Sequence, residues 1–230
     1  MLLTGNAGTG KTTVARLIGK IYGKAGLIKS EDVFVEIRRE SLVAGYMGQT
    51  GIKVAHEVDK AKGGILFIDE AYNLVNGSHD EFGREALNTL LAPIENNRDD
   101  LMVIMAGYEH EMNQLLDNNQ GLRSRMNTVL NLEDYSKEQM REIFYQKAKE
   151  GGYRVEENLE SFVEDFLMRE KQKAKADFGN ARGVRNCYER VIKRMNARIC
   201  AMEADVLTDA DLQKIPDEVL NTIRREDIEE

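Results

Sequence analysis

Eight consecutive residues near the start of the chain, Gly5-Asn6-Ala7-Gly8-Thr9-Gly10-Lys11-Thr12, fit the pattern G-x-x-x-x-G-K-[ST] at every position. The apolar run Met1-Leu-Leu-Thr4 precedes them and a helical pattern follows. Strand, glycine loop and helix form the context in which this pattern means a phosphate cradle. Glycines at 5, 8 and 10 let backbone N–H groups turn toward an anion without a Cβ in the way. The positive end of the helix beginning near Lys11 points at the same place. Lys11 is then expected to reach the β- and γ-phosphates of a nucleotide, and the Thr12 hydroxyl to ligate Mg²⁺. Gly5 to Thr13 are thus the candidate binding loop for a nucleoside triphosphate.

A second chemical signal follows about 55 residues beyond that loop, in Ile65-Leu-Phe-Ile-Asp69-Glu70. Four apolar residues and then two acids set carboxylates at the C-terminal edge of a buried strand, where open α/β sheets bind ligands. Asp69 is expected to hold Mg²⁺, and Glu70 to orient and polarise an attacking water. The second signal says little alone, because many strands end in acids, but it gains weight from following the glycine loop. Together they predict hydrolysis of a nucleoside triphosphate.

The elements that must position these groups are legible in the periodicity. Helices are expected over 14–24, 50–62, 81–96 and 109–117, with Pro93 kinking or shortening the third. Strands are expected over 33–37, 65–68, 101–106 and 128–132. Their alternation implies a parallel sheet covered on both faces by helices. After Asp134 the strands are expected to stop, with Ser136 capping a helix to about Glu150 and further helices over 157–173 and 183–203. The predicted organisation is an α/β nucleotide-binding subdomain over 1–134, an all-helical subdomain over 135–215 and a C-terminal tail over 216–230.

Composition narrows the class. The 230 residues carry 42% hydrophobic and 31% charged side chains and a net charge of −8. That balance argues against a dedicated nucleic-acid binder, which shows a basic face. No apolar run approaches the ~18 residues of a membrane helix, and a glycine loop beginning at Gly5 leaves no room for a signal peptide. A cytoplasmic protein is expected. Cys187 and Cys200 have no metal or redox spacing, and His56, His79 and His110 are scattered. The repeated methionines read as gap-filling core residues. The chain opens on its first strand, as expected of a domain excised from a longer protein or of a truncated gene model; base selectivity is therefore not readable.

The segments GNAGTGKTTVARL, GGILFIDEAYNL, DFGREAL, MAGYEHEM, GLRSRM and DFGNARGVRN occur in an order that resembles AAA+ ATPases of the CbxX/CfqX type. That group includes the red-type Rubisco activases and stage V sporulation protein K, with related domains in type VII secretion ATPases. The resemblance runs from Leu2 to about Ala204. It implies a P-loop sheet sandwiched by helices, followed by a small all-helical lid.

It also implies further roles. Arg125, in Leu122-Arg-Ser-Arg125, matches an arginine finger that completes a neighbouring subunit's site, and Arg123 is the other candidate. Arg182, in Gly179-Asn-Ala-Arg182, looks like a sensor that contacts nucleotide from the lid, with Arg185 one turn on. Met105-Ala-Gly-Tyr108 stands where many relatives carry a polar sensor. Tyr108 either positions water or packs under the following helix. Tyr46-Met47-Gly48, after the second strand, matches a pore loop that grips an extended peptide, and 76–80 is a possible second one.

The resulting expectation is an ATP-hydrolysing protein remodeller: a ring of six copies using ATP and Mg²⁺, with a protein client whose identity the sequence does not give. Two other classes share parts of this pattern. A nucleic-acid motor is expected to carry basic residues in place of Tyr46-Met47, and a non-hydrolysing scaffold is expected to lack Glu70 or Arg125.

Overall fold

A computed structural model of the protein describes residues 1–44, 48–77, 79–204 and 216–229. Contacts divide the chain into two units: 1–6 with 10–133, and 7–9 with 134–230.

The first unit is built on five strands: β1 (Leu2–Gly5), β2 (Phe34–Ile37), β3 (Ile65–Ile68), β4 (Met102–Gly107) and β5 (Val129–Leu132). They form one sheet in the order β2-β3-β4-β1-β5, and every pair is parallel. The continuous apolar run in β3 divides between two faces, because successive side chains alternate. Ile65 and Phe67 join Leu3, Ile104 and Ala106 against α1 (Lys11–Lys24). Leu66 and Ile68 join Leu2, Val103 and Met105 on the opposite face. There they pack with α3 (Gln49–Ala61), α4 (Glu81–Asn96) and α5 (Glu109–Asp117). Ile65 to Ile68 are fully excluded from solvent.

Three short elements have no counterpart in the periodicity: α2 (Arg39–Leu42), a 3₁₀ turn over Ala71–Leu74, and α6 (Gln120–Arg125). Each is too brief to develop a helical stripe. Pro93 does not shorten α4, which continues to Asn96. Arg39 binds α2 to the 3₁₀ turn and to the start of α4. Its Nη1 donates to Asp80 Oδ2 at 2.5 Å, to Leu74 O at 2.5 Å and to Asn73 O at 3.1 Å. Asp80 also caps α4 by accepting from Gly83 N at 2.9 Å and takes a bond from Asn76 N at 2.8 Å.

The Arg39 guanidinium, helped by those two amides, holds the Asp80 carboxyl well below the usual carboxylate range. A depressed carboxyl contributes stability that is complete above its unfolded pKa of 3.8 and fades as pH falls below it. Asp80 is 9% exposed and Arg39 half-buried, so Asp80→Asn leaves a partly desolvated Arg39 without its counter-charge. The expected cost is about 3 kcal/mol at neutral pH. Denaturant melts of both proteins between pH 7 and 3 check this, because the difference between them must shrink at the acid end.

The second unit packs α7 (Lys137–Glu150), α8 (Glu160–Ala174) and α9 (Ala181–Ala204) around Phe144, Val163, Leu167, Val184, Val191 and Met195. Ser136 and Gln139 form a capping box at the start of α7, as the sequence predicts. The expectation that strands stop after Asp134 is corrected here. β6 (Arg154–Val155) pairs in parallel with β7 (Thr222–Ile223), which lies between α10 (Asp217–Asn221) and α11 (Arg225–Ile228). Two-residue strands are too short to show alternation.

Residues 216–229 also join the unit's core instead of trailing from it. Ile223 and Ile228 are fully buried. Asp227 is 1% exposed and accepts from Arg198 Nε at 2.8 Å and Nη2 at 2.9 Å.

Candidate functional site

The carboxyl edge of the sheet gathers the chemistry of the first unit. Strand order sets the sequence along that edge: the glycine loop after β1, Tyr108 after β4, Asp69-Glu70 after β3 and Arg38 after β2. The connection from β1 crosses β4 and β3 to reach β2, while β5 lies on the other side of β1. Such a switch point opens a crevice at the strand ends, where open α/β sheets take their ligands.

Gly10 stands at φ 90° and caps α1, a left-handed conformation that glycine adopts without strain. Lys11 folds back over the loop, with Nζ donating to Gly5 O and Asn6 O at 2.8 Å each. The same ammonium lies 5.6 Å from the centre of the Tyr108 ring, within cation–π range. Tyr108 is 39% exposed and its ring is 5.8 Å from that of Tyr72. It therefore lies open beside Lys11, where a hydroxyl can meet solvent. Burial, and then the Glu70 carboxylate, push the Tyr72 phenol up to about 12, so it stays a proton donor.

Glu70 has φ 51° and ψ 44°. A left-handed backbone is costly for a residue with a side chain, by about 1–3 kcal/mol. Asn73, in the following 3₁₀ turn, donates from Nδ2 to Glu70 Oε2 at 3.2 Å. Asp69 beside it is 16% exposed and accepts from Arg38 Nη2 at 2.9 Å. On the far side of β1, Thr4 Oγ1 donates to Asn131 Oδ1 at 3.2 Å.

The donors proposed for a metal, the Thr12 hydroxyl and the Asp69 carboxylate, are the hard oxygens that suit Mg²⁺. A cationic guanidinium already accompanies the Asp69 carboxylate, so the position accepts positive charge. Among the described residues no cluster of three or more His, Cys, Asp or Glu side chains suits a metal ion. Mg²⁺ commonly takes one or two protein ligands and completes its shell with phosphates and water.

The two finger candidates lie on α6, capped by Asn119 Oδ1, which accepts from Leu122 N at 2.8 Å. Arg125 is 31% exposed, with Nη1 on Gly121 O at 3.1 Å and Nε 3.3 Å from Glu95 Oε2. Arg123 is 56% exposed and pairs with Asp117.

Tyr46 and Met47 lie outside the described residues; the flanks of their loop do not. Thr50 is fully buried and accepts from Ala44 N at 3.4 Å. Lys53 Nζ donates to Val43 O at 3.0 Å and to Glu40 O at 3.3 Å. Gly48 caps α3 at φ 78°, with open space around the position of a Cβ. Both ends of the loop are thereby tied to α3. Of the 76–80 segment, Ser78 is also outside the described residues.

In the second unit, Arg182 is exposed on the first turn of α9. Asn180, just before it, is 4% exposed at φ 49°. It accepts from Tyr135 N at 3.2 Å, and its Nδ2 donates to Asp134 Oδ1 at 2.8 Å and Ala7 O at 3.2 Å. Ala7–Thr9 group with this unit, and Ala181 N reaches Gly8 O at 3.2 Å. A Cβ on Gly8 would meet Gly179 O at 2.0 Å, so no larger residue fits there.

Sequence reasoning did not find Arg38, Arg39, Asn73, Asp80 or Asn131. Asn180 lies inside a motif it did quote, and the Gly179-Asn180 pair, two residue types that tolerate a left-handed backbone, was the available signal.

A family model for the ATPase family associated with various cellular activities (AAA) matches residues 1–134, and an AAA lid domain matches residues 136–230. The chain belongs to the AAA family of ATPases. It binds nucleotide and hydrolyses ATP, and its matched segments follow the division between the sheet and the helical region.

Among curated proteins, stage V sporulation protein K of Bacillus subtilis is 38% identical over 96% of this chain and 68% of its own length. The plasmid-borne CbxX protein of Cupriavidus necator is 38% identical over 94% of this chain and 67% of its own. EccA1, an ESX-1 secretion system protein of Mycobacterium tuberculosis, is 50% identical over 62% of this chain but only 25% of its own. The chain thus spans about two-thirds of the first two and a quarter of the third.

Among solved structures, the FIGL-1 AAA domain superposes with a TM-score of 0.66 at 18% identity, covering 99% of this chain and 67% of that one. A RuvB mutant of Thermotoga maritima gives 0.64 at 18% identity, covering 99% and 59%. These likenesses bear on the fold alone. Among the described residues no helix is long and apolar enough to cross a membrane.

Proposed function

We propose that this domain drives an ATP-dependent protein remodeller, which acts as a ring of six copies and pulls a segment of a client protein through a central pore. One observation carries the reading: the loop bearing Tyr46-Met47-Gly48 springs from α3 in the unit whose sheet edge holds Lys11, Asp69 and Glu70. β2 leads through Arg38 directly into α2, and Val43 and Ala44 behind it are hydrogen-bonded to Lys53 and Thr50 of α3, so the end of β2 and the start of that loop are a few residues apart. The similarity to CbxX, stage V sporulation protein K and EccA1 supports the same class.

In this reading Gly5 to Thr13 cradle the phosphates, with Lys11 exchanging its loop carbonyls for phosphate oxygens. Thr12 and Asp69 hold Mg²⁺, which offsets charge on the phosphate oxygens when bound. Glu70 takes the proton of the attacking water, and Tyr108 orients that water from beside Lys11. Arg125, or else Arg123, reaches the neighbouring copy's nucleotide, because one chain does not complete its own site. Arg182 reads the phosphate state from the second unit.

Tyr46→Ala is expected to leave basal ATPase within about twofold and to abolish client remodelling, since this reading gives the aromatic side chain a role in gripping the client and none at the phosphates. The check pairs steady-state ATPase with translocation of an unfolded, fluorescently labelled protein. Intact translocation in the variant removes threading from the account.

A further inference from the structure

The carboxylate assigned to the metal already carries a cation supplied by the chain. Arg38 follows β2 directly, and the parallel register that pairs Ile37 with Ile68 sets it next to Asp69. The register is pinned beyond the strands by Asp69 N donating to Ile37 O at 2.9 Å. The Arg38 guanidinium then donates from Nη2 to Asp69 Oδ2 at 2.9 Å. Its side chain is 58% exposed, whereas Asp69 is 16% exposed. The acid is the more buried partner and the arginine stands at the solvent side. Glu70 and Glu36 lie near enough to add to the field that keeps the guanidinium there.

We propose that Arg38 competes with the divalent cation for Asp69: it neutralises the carboxylate while no metal is held and gives up Oδ2 when the metal arrives with nucleotide. This rests on the reading of Asp69 as the metal-holding acid. A ligand shifts an equilibrium only by its differential affinity for the two states, so the arginine pair subtracts from the affinity of the metal. An arginine here therefore raises the Mg²⁺ concentration the site requires, and residue 38 tunes the metal requirement without touching substrate.

The test is binding of a fluorescent non-hydrolysable ATP analogue, titrated with Mg²⁺, to the wild type and to three variants. Arg38→Gln is expected to lower the Mg²⁺ concentration for half-maximal enhancement of binding about fivefold, the scale of one partly exposed ion pair. Arg16→Gln removes the same charge from a neighbouring pair, Arg16–Glu36 at 2.8 Å, and is expected to shift the midpoint less than about twofold. Asp69→Asn is expected to lose most of the Mg²⁺ response. An unchanged or raised midpoint in Arg38→Gln overturns the competition, as does an equal shift in Arg16→Gln. A wild-type Mg²⁺ response in Asp69→Asn overturns the metal assignment itself. An Asp69→Asn that loses the response while Arg38→Gln leaves it unmoved sinks the competition alone.

Discussion

Replacing Glu70 by glutamine leaves nucleotide affinity within about twofold and lowers turnover by about two orders of magnitude or more. The change conserves shape and hydrogen-bonding reach but removes the base. A positioned general base contributes roughly 10²–10⁴-fold. The local geometry sharpens the expectation. Glu70 is held in a left-handed backbone, and Asn73 Nδ2 donates to its Oε2 at 3.2 Å. A glutamine side chain meets the same Asn73 with its amide oxygen, so the turn and the binding loop have no reason to move. Single-turnover hydrolysis together with equilibrium nucleotide binding separates the two effects. Hydrolysis near the wild-type rate would show that another group activates the water.

Removing the proposed finger has the largest expected effect on kcat. Arg125→Ala is expected to lower turnover of the assembled particle by about 10³-fold, the scale at which such arginines act in trans. Inside its own chain Arg125 is only lightly held, 3.3 Å from Glu95 and on the carbonyl of Gly121. Its Nε faces the Glu95 carboxylate as an ion pair without completing a hydrogen bond. Arg123 is the more exposed of the two but is engaged by Asp117. If Arg123 is the finger, the loss moves to Arg123→Ala.

Mixing decides whether the arginine acts in trans. Glu70→Gln and Arg125→Ala chains, each inactive alone, recover measurable turnover together, because some junctions then hold both an intact Glu70 and an intact arginine. No recovery at any ratio would place the arginine's role inside its own chain.

Much of the first unit was legible because its signals are long or local. The glycine loop is a contiguous pattern, and the run 65–68 followed by two acids announces a buried strand with a polar tip. The helix over 109–117 and the capped start at Ser136 also came out where periodicity and capping put them. What remained hidden depends on register. Arg38 meets Asp69 only because β2 and β3 pair in parallel with Ile37 opposite Ile68, and nothing in either segment alone encodes that neighbour. Arg39 and Asp80 are 41 residues apart and meet through a 3₁₀ turn too short to leave a pattern. β7 spans two residues, so the burial of Ile223 and Asp227 in the second unit's core had no sequence signature. The proposed roles of Tyr108 and of Arg125 over Arg123 rest on family resemblance; the structure itself shows an exposed ring beside Lys11 and an Arg125 held by Glu95 and Gly121.

The account turns on a nucleotide site shared between adjacent copies. ATPase rate per chain, measured across protein concentrations spanning ring assembly, tests it most directly. The account predicts a specific activity that climbs with concentration and levels off as the particle forms, with Arg125→Ala flat throughout. A specific activity independent of concentration, down to conditions where the chain sediments as a single copy, would contradict it.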